Sequence, residues 1–177
     1  MDYRGNDNSY TLAILVNNTS GVLIRVVSLF SRRGYNIDSL SVGETETHER
    51  SRITIVVRGD RQIVEQIIRQ VEKLVDVICV YEMTPSESVS AELLMVKIKA
   101  DASSRSDLIG LGDIFKARII DVTPETVTFM ITGTWSKTES FLDMITPYGI
   151  VELSRTGMTA MGRGSKSLAE ISLGDEK

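Results

Sequence analysis

Residues 11–37 (TLAILVNNTSGVLIRVVSLFSRRGYNI) are the part of the chain that most constrains its fold. Residues 11–16 form a short apolar run, which is typical of a buried strand. From residue 22 to residue 33, apolar side chains recur at close to helical spacing, which predicts an amphipathic helix. We expect Ser20 to cap the start of this helix and Gly34 to stop it. The stretch therefore predicts a strand, a polar turn and a helix in succession.

Two further strands, a second helix and a last strand complete the first half of the chain. Residues 36–46 and 51–59 lie on either side of a polar turn, and both are strand candidates. Residues 60–73 place apolar side chains on one helical face. Residues 75–83 are rich in β-branched side chains and predict a strand. The resulting order, βαββαβ, is the split βαβ arrangement of ferredoxin-like domains.

The same order recurs in the second half of the chain. Residues 84–90 (TPSESVS) are small and polar and have the composition of a linker. After them we predict strands at 93–100, 118–122, 127–132 and 150–155, with helices at 106–117 and 135–146. The fold class is therefore α+β, with two tandem ferredoxin-like (βαββαβ) domains.

These patterns place the domain boundaries. We predict a flexible N-terminus over residues 1–9, a first domain over 10–84, a linker over 85–91, a C-terminal domain over 92–162 and a flexible tail over 163–177. Apolar side chains within the tail, at Leu168, Ile171 and Leu173, are candidates for docking on a partner.

Composition excludes several classes of function. The formal net charge is −4, which argues against a nucleic-acid surface and against a basic face that binds membranes. No apolar run approaches the length that spans a bilayer, and the polar start MDYRGNDNSY does not resemble a targeting segment. The single cysteine, Cys79, fits a reducing compartment. We therefore expect a cytoplasmic protein without nucleic-acid or membrane partners.

No catalytic constellation is evident. His48 is the one histidine and lies in a polar turn, whereas a zinc site needs several histidine or cysteine ligands. Cys79 lies in an apolar strand, which favours a small core residue over a nucleophile. The serines lack a histidine partner. We therefore expect no catalytic residues, no metal and no cofactor in this chain, and sensing is a better hypothesis than catalysis.

The NNTSG turn (residues 17–21) is the best candidate site. It joins a strand to the N-terminus of a helix, where unpaired backbone N–H groups and the positive end of the helix dipole meet. Such a junction suits a small carboxylate, such as that of an amino acid. The alternative is that these residues only cap the helix, with Gly21 serving the turn geometry.

A third amide, Asn36, lies beside the branched side chain of Ile37 at the far end of the same helix. At 1.5 Å per residue, that end lies about 15–20 Å from the NNTSG turn. One pocket can use both ends only if a second subunit supplies Asn36. The spacing therefore predicts a homodimer as well as a ligand.

At this level of detail the sequence resembles a known family. The segments that carry the resemblance are N-x-x-G, LFSRRGYNIDSLSVG, SRITIVV, VDVICVYEMT, LMVKIKA, IIDVTPETVTF and VELSRTGMTAMGRG. They span roughly residues 10–165 and are similar to the small regulatory subunits of acetolactate synthase, also called acetohydroxyacid synthase. The resemblance implies that the first half is an ACT domain and the second half is ACT-like.

The resemblance also implies a function in branched-chain amino acid biosynthesis. A small subunit of this family has no active site. It binds the large catalytic subunit, which carries thiamine diphosphate, Mg²⁺ and FAD. It raises the activity of that subunit and confers feedback inhibition by branched-chain amino acids, usually valine.

The effector contacts that the resemblance implies lie in the NNTSG turn and, from a neighbouring subunit, after the helix: Asn18, Thr19, Ser20, Gly21, Val22, Asn36 and Ile37. The N–H groups of Gly21 and Val22 would hold the ligand carboxylate. The side-chain oxygens of Asn18 and Asn36 would accept from its ammonium group. Val22 and Ile37 would pack its apolar side chain.

Two alternatives remain at this point. One is a free-standing amino-acid-sensing ACT regulator of another enzyme or of transcription. A regulator of transcription would need a DNA-binding helix-turn-helix, and the chain has no segment left to form one. The other is a small enzyme on a ferredoxin-like fold, which the missing nucleophile, base and metal ligands argue against.

Overall fold

The computed structural model of the chain describes residues 9–174, so the first eight residues of the predicted flexible N-terminus lie outside it. The described residues form two compact units. The first contains residues 9–90 and 158–174, and the second contains residues 91–157. Among the described residues, no helix is long and apolar enough to cross a membrane.

The first unit contains the predicted βαββαβ order. Its four strands form one antiparallel sheet with the order β2-β3-β1-β4, so β2 and β4 are the edge strands. The elements are β1 Ser9–Asn17, α1 Val22–Arg32, β2 Ile37–Glu44, β3 Arg50–Arg58, α2 Arg61–Val71 and β4 Val77–Glu82. Gly34, predicted to stop α1, follows the helix with a φ of +71°.

The main core of this unit lies between the sheet and its two helices. The apolar positions of α1 recur at helical spacing, and Val22, Val26 and Phe30 are buried. Alternate residues of β1 and β3 face them, because successive strand side chains point to opposite faces. The buried set from the strands and α2 is Leu12, Ile14, Val16, Ile53, Ile55, Val57, Val64, Ile67, Val71 and Val80.

The opposite face of the sheet is also buried. Ala13 and Leu15 of β1 and Cys79 of β4 pack there with Ala160 and Leu168. The last two residues belong to β9 Thr159–Gly162 and α5 Leu168–Gly174. Cys79 is thus a core residue, as predicted.

The C-terminal segment therefore returns to the first unit. The backbone N–H of Met158 donates to Ser39 Oγ at 2.7 Å, and the N–H of Arg163 donates to the carbonyl of Glu87 at 2.7 Å. This placement differs from the expectation of a second domain through residue 162. The predicted flexible tail over 163–177 contains helix α5, and its last three residues, 175–177, lie outside the described residues. The physical reason is that the second sheet face needs a cover, and Leu168 supplies part of it.

The second unit repeats the order in a sheet arranged β6-β7-β5-β8. Its elements are β5 Ser88–Lys99, α3 Arg105–Phe115, β6 Arg118–Val122, β7 Thr126–Gly133, α4 Trp135–Ile145, a short 3₁₀ turn Thr146–Tyr148 and β8 Ile150–Arg155. β5 already begins at Ser88, within the expected linker over 85–91.

Helix α3 forms despite two glycines that lower its intrinsic propensity. Gly112 is buried, and a Cβ atom added there would lie 2.5 Å from Cε1 of Phe129. The glycine therefore lets the helix approach β7 closely, and tertiary packing outweighs propensity at this position.

Candidate functional site

The NNTSG turn connects β1 to α1 through a glycine in the left-handed conformation. Gly21 occupies the N-cap position with φ 81° and ψ 1°, and no side chain caps the helix. The expectation that Ser20 is the cap is therefore wrong, because Gly21 takes that position in a conformation that glycine adopts without strain. Among the described residues, no backbone carbonyl accepts from the Gly21 N–H. This donor is available to an anion at the start of α1.

Asn18 ties the turn to the hairpin that joins β2 and β3. Its Nδ2 donates to the carbonyl of His48 at 3.0 Å and to Oε1 of Glu44 at 3.2 Å. Its backbone N–H donates to the carbonyl of Glu49 at 2.7 Å. Because both side-chain donations come from the amide nitrogen, the amide oxygen of Asn18 remains as an acceptor for a donor outside this network.

An ion pair that the sequence analysis missed lies behind the turn. Arg25 Nε donates to Asp76 Oδ2 at 2.8 Å, and Thr19 Oγ1 donates to the other carboxylate oxygen at 2.9 Å. Arg25 also reaches Thr19 Oγ1 at 3.2 Å and the carbonyl of Ser20 at 3.4 Å. The guanidinium therefore holds the turn from its helix side.

The charge of this guanidinium is balanced. The Thr19 hydroxyl, and after it the Arg25 guanidinium, hold the pKa of the Asp76 carboxyl below its ordinary value. The carboxylate therefore stays ionised beside the cation. A signal for Arg25 exists in the sequence, since it follows Gly21 by one helical turn. Asp76 lies 51 residues from Arg25 and carries no comparable signal.

Val22 occupies a different position from that expected of a ligand contact. Its side chain is only 7% exposed and belongs to the main core. Its backbone N–H donates to the carbonyl of Thr19 at 3.2 Å. Val22 therefore supports the turn from beneath.

Asn36 and Ile37 lie at the other end of the sheet. Ile37 is opposite Val57 on β3, whereas Asn17 is opposite Arg50 on the same strand. At 3.3 Å per residue, the two ends are about 23 Å apart. One chain therefore does not bring Asn36 to the NNTSG turn. Asn36 Nδ2 donates to Asp38 Oδ1 at 2.7 Å, which leaves its amide oxygen as an acceptor.

The end of β2, in contrast, lies directly beside the turn. Glu44, the last residue of β2, is the residue whose carboxylate accepts from Asn18. The other oxygen of that carboxylate lies 3.0 Å from His48 Nδ1 in an exposed pair. Glu44 therefore adds negative charge beside the Asn18 amide.

A metal centre is not supported by the described residues, among which no group of three or more His, Cys, Asp or Glu side chains is placed to hold an ion. The site consists of a free backbone donor at a helix N-terminus, the amide oxygen of Asn18 and the nearby carboxylate of Glu44. This combination can bind a small zwitterion, with its carboxylate on the helix and its ammonium on the oxygens.

Two family models match the chain and together cover most of it. The model described as the AHAS small subunit-like ACT domain matches residues 12–79. The model described as the small subunit of acetolactate synthase matches residues 91–164.

Relatives are similar over nearly the whole chain. The acetolactate synthase small subunit of Mycobacterium bovis is 46% identical over 160 residues, which is 90% of this chain and 95% of that protein. The corresponding protein of Mycolicibacterium smegmatis is 44% identical over 160 residues, covering 90% and 94%. The crystal structure of the acetolactate synthase small subunit from Thermotoga maritima superposes with a TM-score of 0.82 at 38% identity, covering 89% of this chain and 99% of that one.

Proposed function

The chain belongs to the family of small, non-catalytic regulatory subunits of acetolactate synthase, and from that premise we propose that it confers feedback inhibition through its first unit. The effector is a branched-chain amino acid, valine in the first instance. It binds at a seam between the first units of two copies of the chain. The catalytic large subunit is the partner that responds, and its activity also rises when this chain binds.

Thiamine diphosphate, Mg²⁺ and FAD belong to the large subunit in this scheme. The present chain contributes no group to the chemical step. Its contribution is to bind the effector and to transmit that binding to the partner.

The observation that carries the proposal is the position of Glu44 beside Asn18. β2 is an edge strand with unpaired backbone groups along one side. If β2 pairs antiparallel with β2 of a second copy over most of its length, Glu44 lies near Ile37 of the partner subunit. Asn36 of the partner subunit then lies next to the NNTSG turn. A two-fold pairing of this edge therefore brings together the two halves that one chain keeps about 23 Å apart.

The roles of the contacts follow from this arrangement. The Gly21 N–H and the N-terminus of α1 hold the effector carboxylate. The amide oxygens of Asn18 and of the partner subunit's Asn36 accept from its ammonium group. Ile37 of the partner subunit packs the branched side chain. Thr19, Ser20 and Val22 keep the turn in shape through the bonds described above.

Inhibition requires that the effector prefer one arrangement of the two copies. A ligand that contacts both sides of a seam has that property, because its affinity depends on how the sides meet. A coupling free energy of about 1–3 kcal/mol is typical of such regulation. The large subunit then responds to the arrangement that the effector stabilises.

Titration calorimetry with valine tests the site. Asn36→Ala is expected to weaken valine binding at least tenfold, because the seam loses one of its ammonium acceptors. Gln62→Ala, which removes an exposed amide on α2, is the matched control and should bind valine as the wild type does. Equal affinities of wild type and Asn36→Ala would refute the seam.

An enzyme assay tests the assignment to acetolactate synthase. The large subunit is assayed for acetolactate formation with and without this chain, across a valine titration. We expect activation without valine and inhibition with it. A chain that binds valine but leaves the large subunit unchanged would indicate a regulator of another enzyme.

A further inference from the structure

A bulge near the start of β2 sets one acidic residue apart from the rest of the strand. Ile37 is opposite Val57 and Ser39 is opposite Val56, so Asp38 is the extra residue of this pairing. A bulge of this kind re-aims the side chain that it carries. The side chain of Asp38 is only 5% exposed, and a buried carboxylate is stable only where donors surround it.

Two donors hold this carboxylate in place. Asn36 Nδ2 donates to its Oδ1 at 2.7 Å, and Arg58 Nε donates to its Oδ2 at 2.5 Å. Arg58 is the last residue of β3 and lies 20 residues further along the chain, so this ion pair depends on the register of the two strands. The Asp38 carboxylate therefore joins the exposed amide of Asn36 to a fixed point on the sheet.

The charge of Asp38 decides which way the Asn36 amide points. An amide has a donor end and an acceptor end, whereas an ionised carboxylate only accepts. The amide nitrogen of Asn36 therefore faces Asp38, because the opposite orientation would bring the amide oxygen against a carboxylate oxygen. The amide oxygen is directed away from Asp38, and within residues 9–174 no side chain donates to it.

We propose that Asp38 is a positioning residue of the effector site, and that it gives the site its selectivity for an ammonium group. The inference rests on the proposed function, in which Asn36 faces the NNTSG turn of the other copy. Because Asp38 holds the nitrogen of the Asn36 amide, the seam receives the oxygen, which accepts from an ammonium group. A charged donor binds such an oxygen more strongly than a hydroxyl does. The site therefore prefers valine to α-hydroxyisovalerate, which has the same carboxylate and side chain.

Exchange of the carboxylate for an amide tests this orientation. In Asp38→Asn, Arg58 Nε remains a donor and takes the one oxygen of the new amide. The nitrogen of the new amide then faces Asn36, which turns its own oxygen inward and presents its nitrogen to the seam. Two donors then meet at the ammonium position, so valine should bind roughly tenfold more weakly. A hydroxyl accepts as well as donates, so α-hydroxyisovalerate should bind within about twofold of its wild-type affinity.

Titration calorimetry of the full-length chain with each of the two ligands measures this change. The readout is the ratio of the two affinities, which should fall roughly tenfold in Asp38→Asn. Partial unfolding would reduce the number of sites for both ligands and leave that ratio as it is. Asp60→Asn is the matched control, because Asp60 is exposed and its side chain makes no cap hydrogen bond at the start of α2. It should leave both affinities unchanged.

The reciprocal exchange provides a second test. Asn36→Asp/Asp38→Asn places a carboxylate at position 36 and an amide at position 38. The nitrogen of the new amide donates to one oxygen of the new carboxylate, so the other oxygen faces the seam and accepts from the ammonium group. Valine affinity and the ratio should return to within roughly threefold of wild type. A residue that served only to stabilise the bulge would show no such recovery.

The outcomes separate the role of Asp38 from the seam itself. Equal weakening of both ligands in Asp38→Asn, or no recovery in the double variant, overturns the role of Asp38. If Asn36→Ala weakens valine binding while Asp38→Asn leaves it unchanged, the seam stands and the proposed orientation is wrong. If Asn36→Ala also binds valine as the wild type does, the proposed site fails and the role of Asp38 fails with it.

Discussion

Replacement of Gly21 by aspartate should remove the effector response and leave activation of the large subunit in place. An aspartate carboxylate at this position can take the N-terminus of α1 for itself. Just before α3 the chain shows that a carboxylate binds nearby backbone N–H groups, since Asp101 accepts from those of Ser103 and Ser104 at 2.9 and 2.8 Å. A carboxylate built into the NNTSG turn would therefore compete directly with the carboxylate of the effector.

The magnitude follows from charge and backbone geometry. Two carboxylates 4 Å apart repel by about 4 kcal/mol at an effective dielectric of 20. Because the turn is exposed, solvent and salt reduce this to about 2 kcal/mol, or roughly thirtyfold weaker inhibition by valine. The left-handed φ of +81° and the Arg25 nitrogen 3.2 Å from the new Cβ add a cost in stability. That cost is about 1–2 kcal/mol.

Gly21→Asn separates the two effects. Asparagine is similar in size to aspartate and adopts the left-handed conformation, but it carries no charge. Both variants should therefore unfold at similar denaturant concentrations. In the acetolactate assay, Gly21→Asp should need about thirty times more valine than wild type for half inhibition, and Gly21→Asn much less. Equal valine responses of the two variants would refute the carboxylate site, and loss of activation together with inhibition would indicate a folding defect.

Three further predictions concern stability. Leu168→Asp should expose Cys79 and speed its reaction with a thiol reagent at least tenfold, since Leu168 helps to cover that face of the sheet. Gly112→Ala should lower the free energy of unfolding, measured by urea denaturation, by about 1–3 kcal/mol through overpacking. At Gly110 an added Cβ meets no atom within 4 Å, so Gly110→Ala should raise the free energy of unfolding by up to ~1 kcal/mol because alanine favours the helix. Asp76→Asn should destabilise the chain at neutral pH but progressively less as the pH falls below about 4, since a carboxyl with a lowered pKa contributes stability only while it is ionised.

Each of these predictions has an outcome that contradicts it. Cys79 reacting equally fast in wild type and Leu168→Asp would mean that α5 does not protect that face. Similar urea midpoints for the two glycine variants would mean that α3 does not pack closely on β7. A stability difference between wild type and Asp76→Asn that is unchanged from pH 7 to pH 3 would mean that the ionised carboxylate contributes nothing through its contacts with Thr19 and Arg25.

The elements of both units could be predicted from the sequence because local patterns specify them. The observed α1 Val22–Arg32 ends within one residue of the predicted helix, since its apolar spacing and Gly34 are properties of neighbouring residues. The same reasoning gave Ser20 as the cap and was wrong. Which residue is the N-cap depends on the backbone conformation of a single position, and Gly21, one residue after Ser20, occupies that position.

The contacts around the NNTSG turn could not be predicted, because they join residues far apart in the chain. Arg25 and Asp76 meet only when β4 pairs beside β1, and Asn18 meets Glu44 only when the hairpin has its observed register. A register depends on the packing of the whole sheet, and a shift of one residue would move every side chain to the other face.

The sequence by itself therefore determined the order of strands and helices, the two βαββαβ units, the family and the candidate turn. All of these depend on periodicity or on short motifs that neighbouring residues define. The tertiary structure alone decided that residues 158–168 cover the second face of the first sheet, and that a bulge in β2 brings Asp38 to Arg58. Both depend on which distant surfaces must be buried together, and that is a property of the folded chain as a whole.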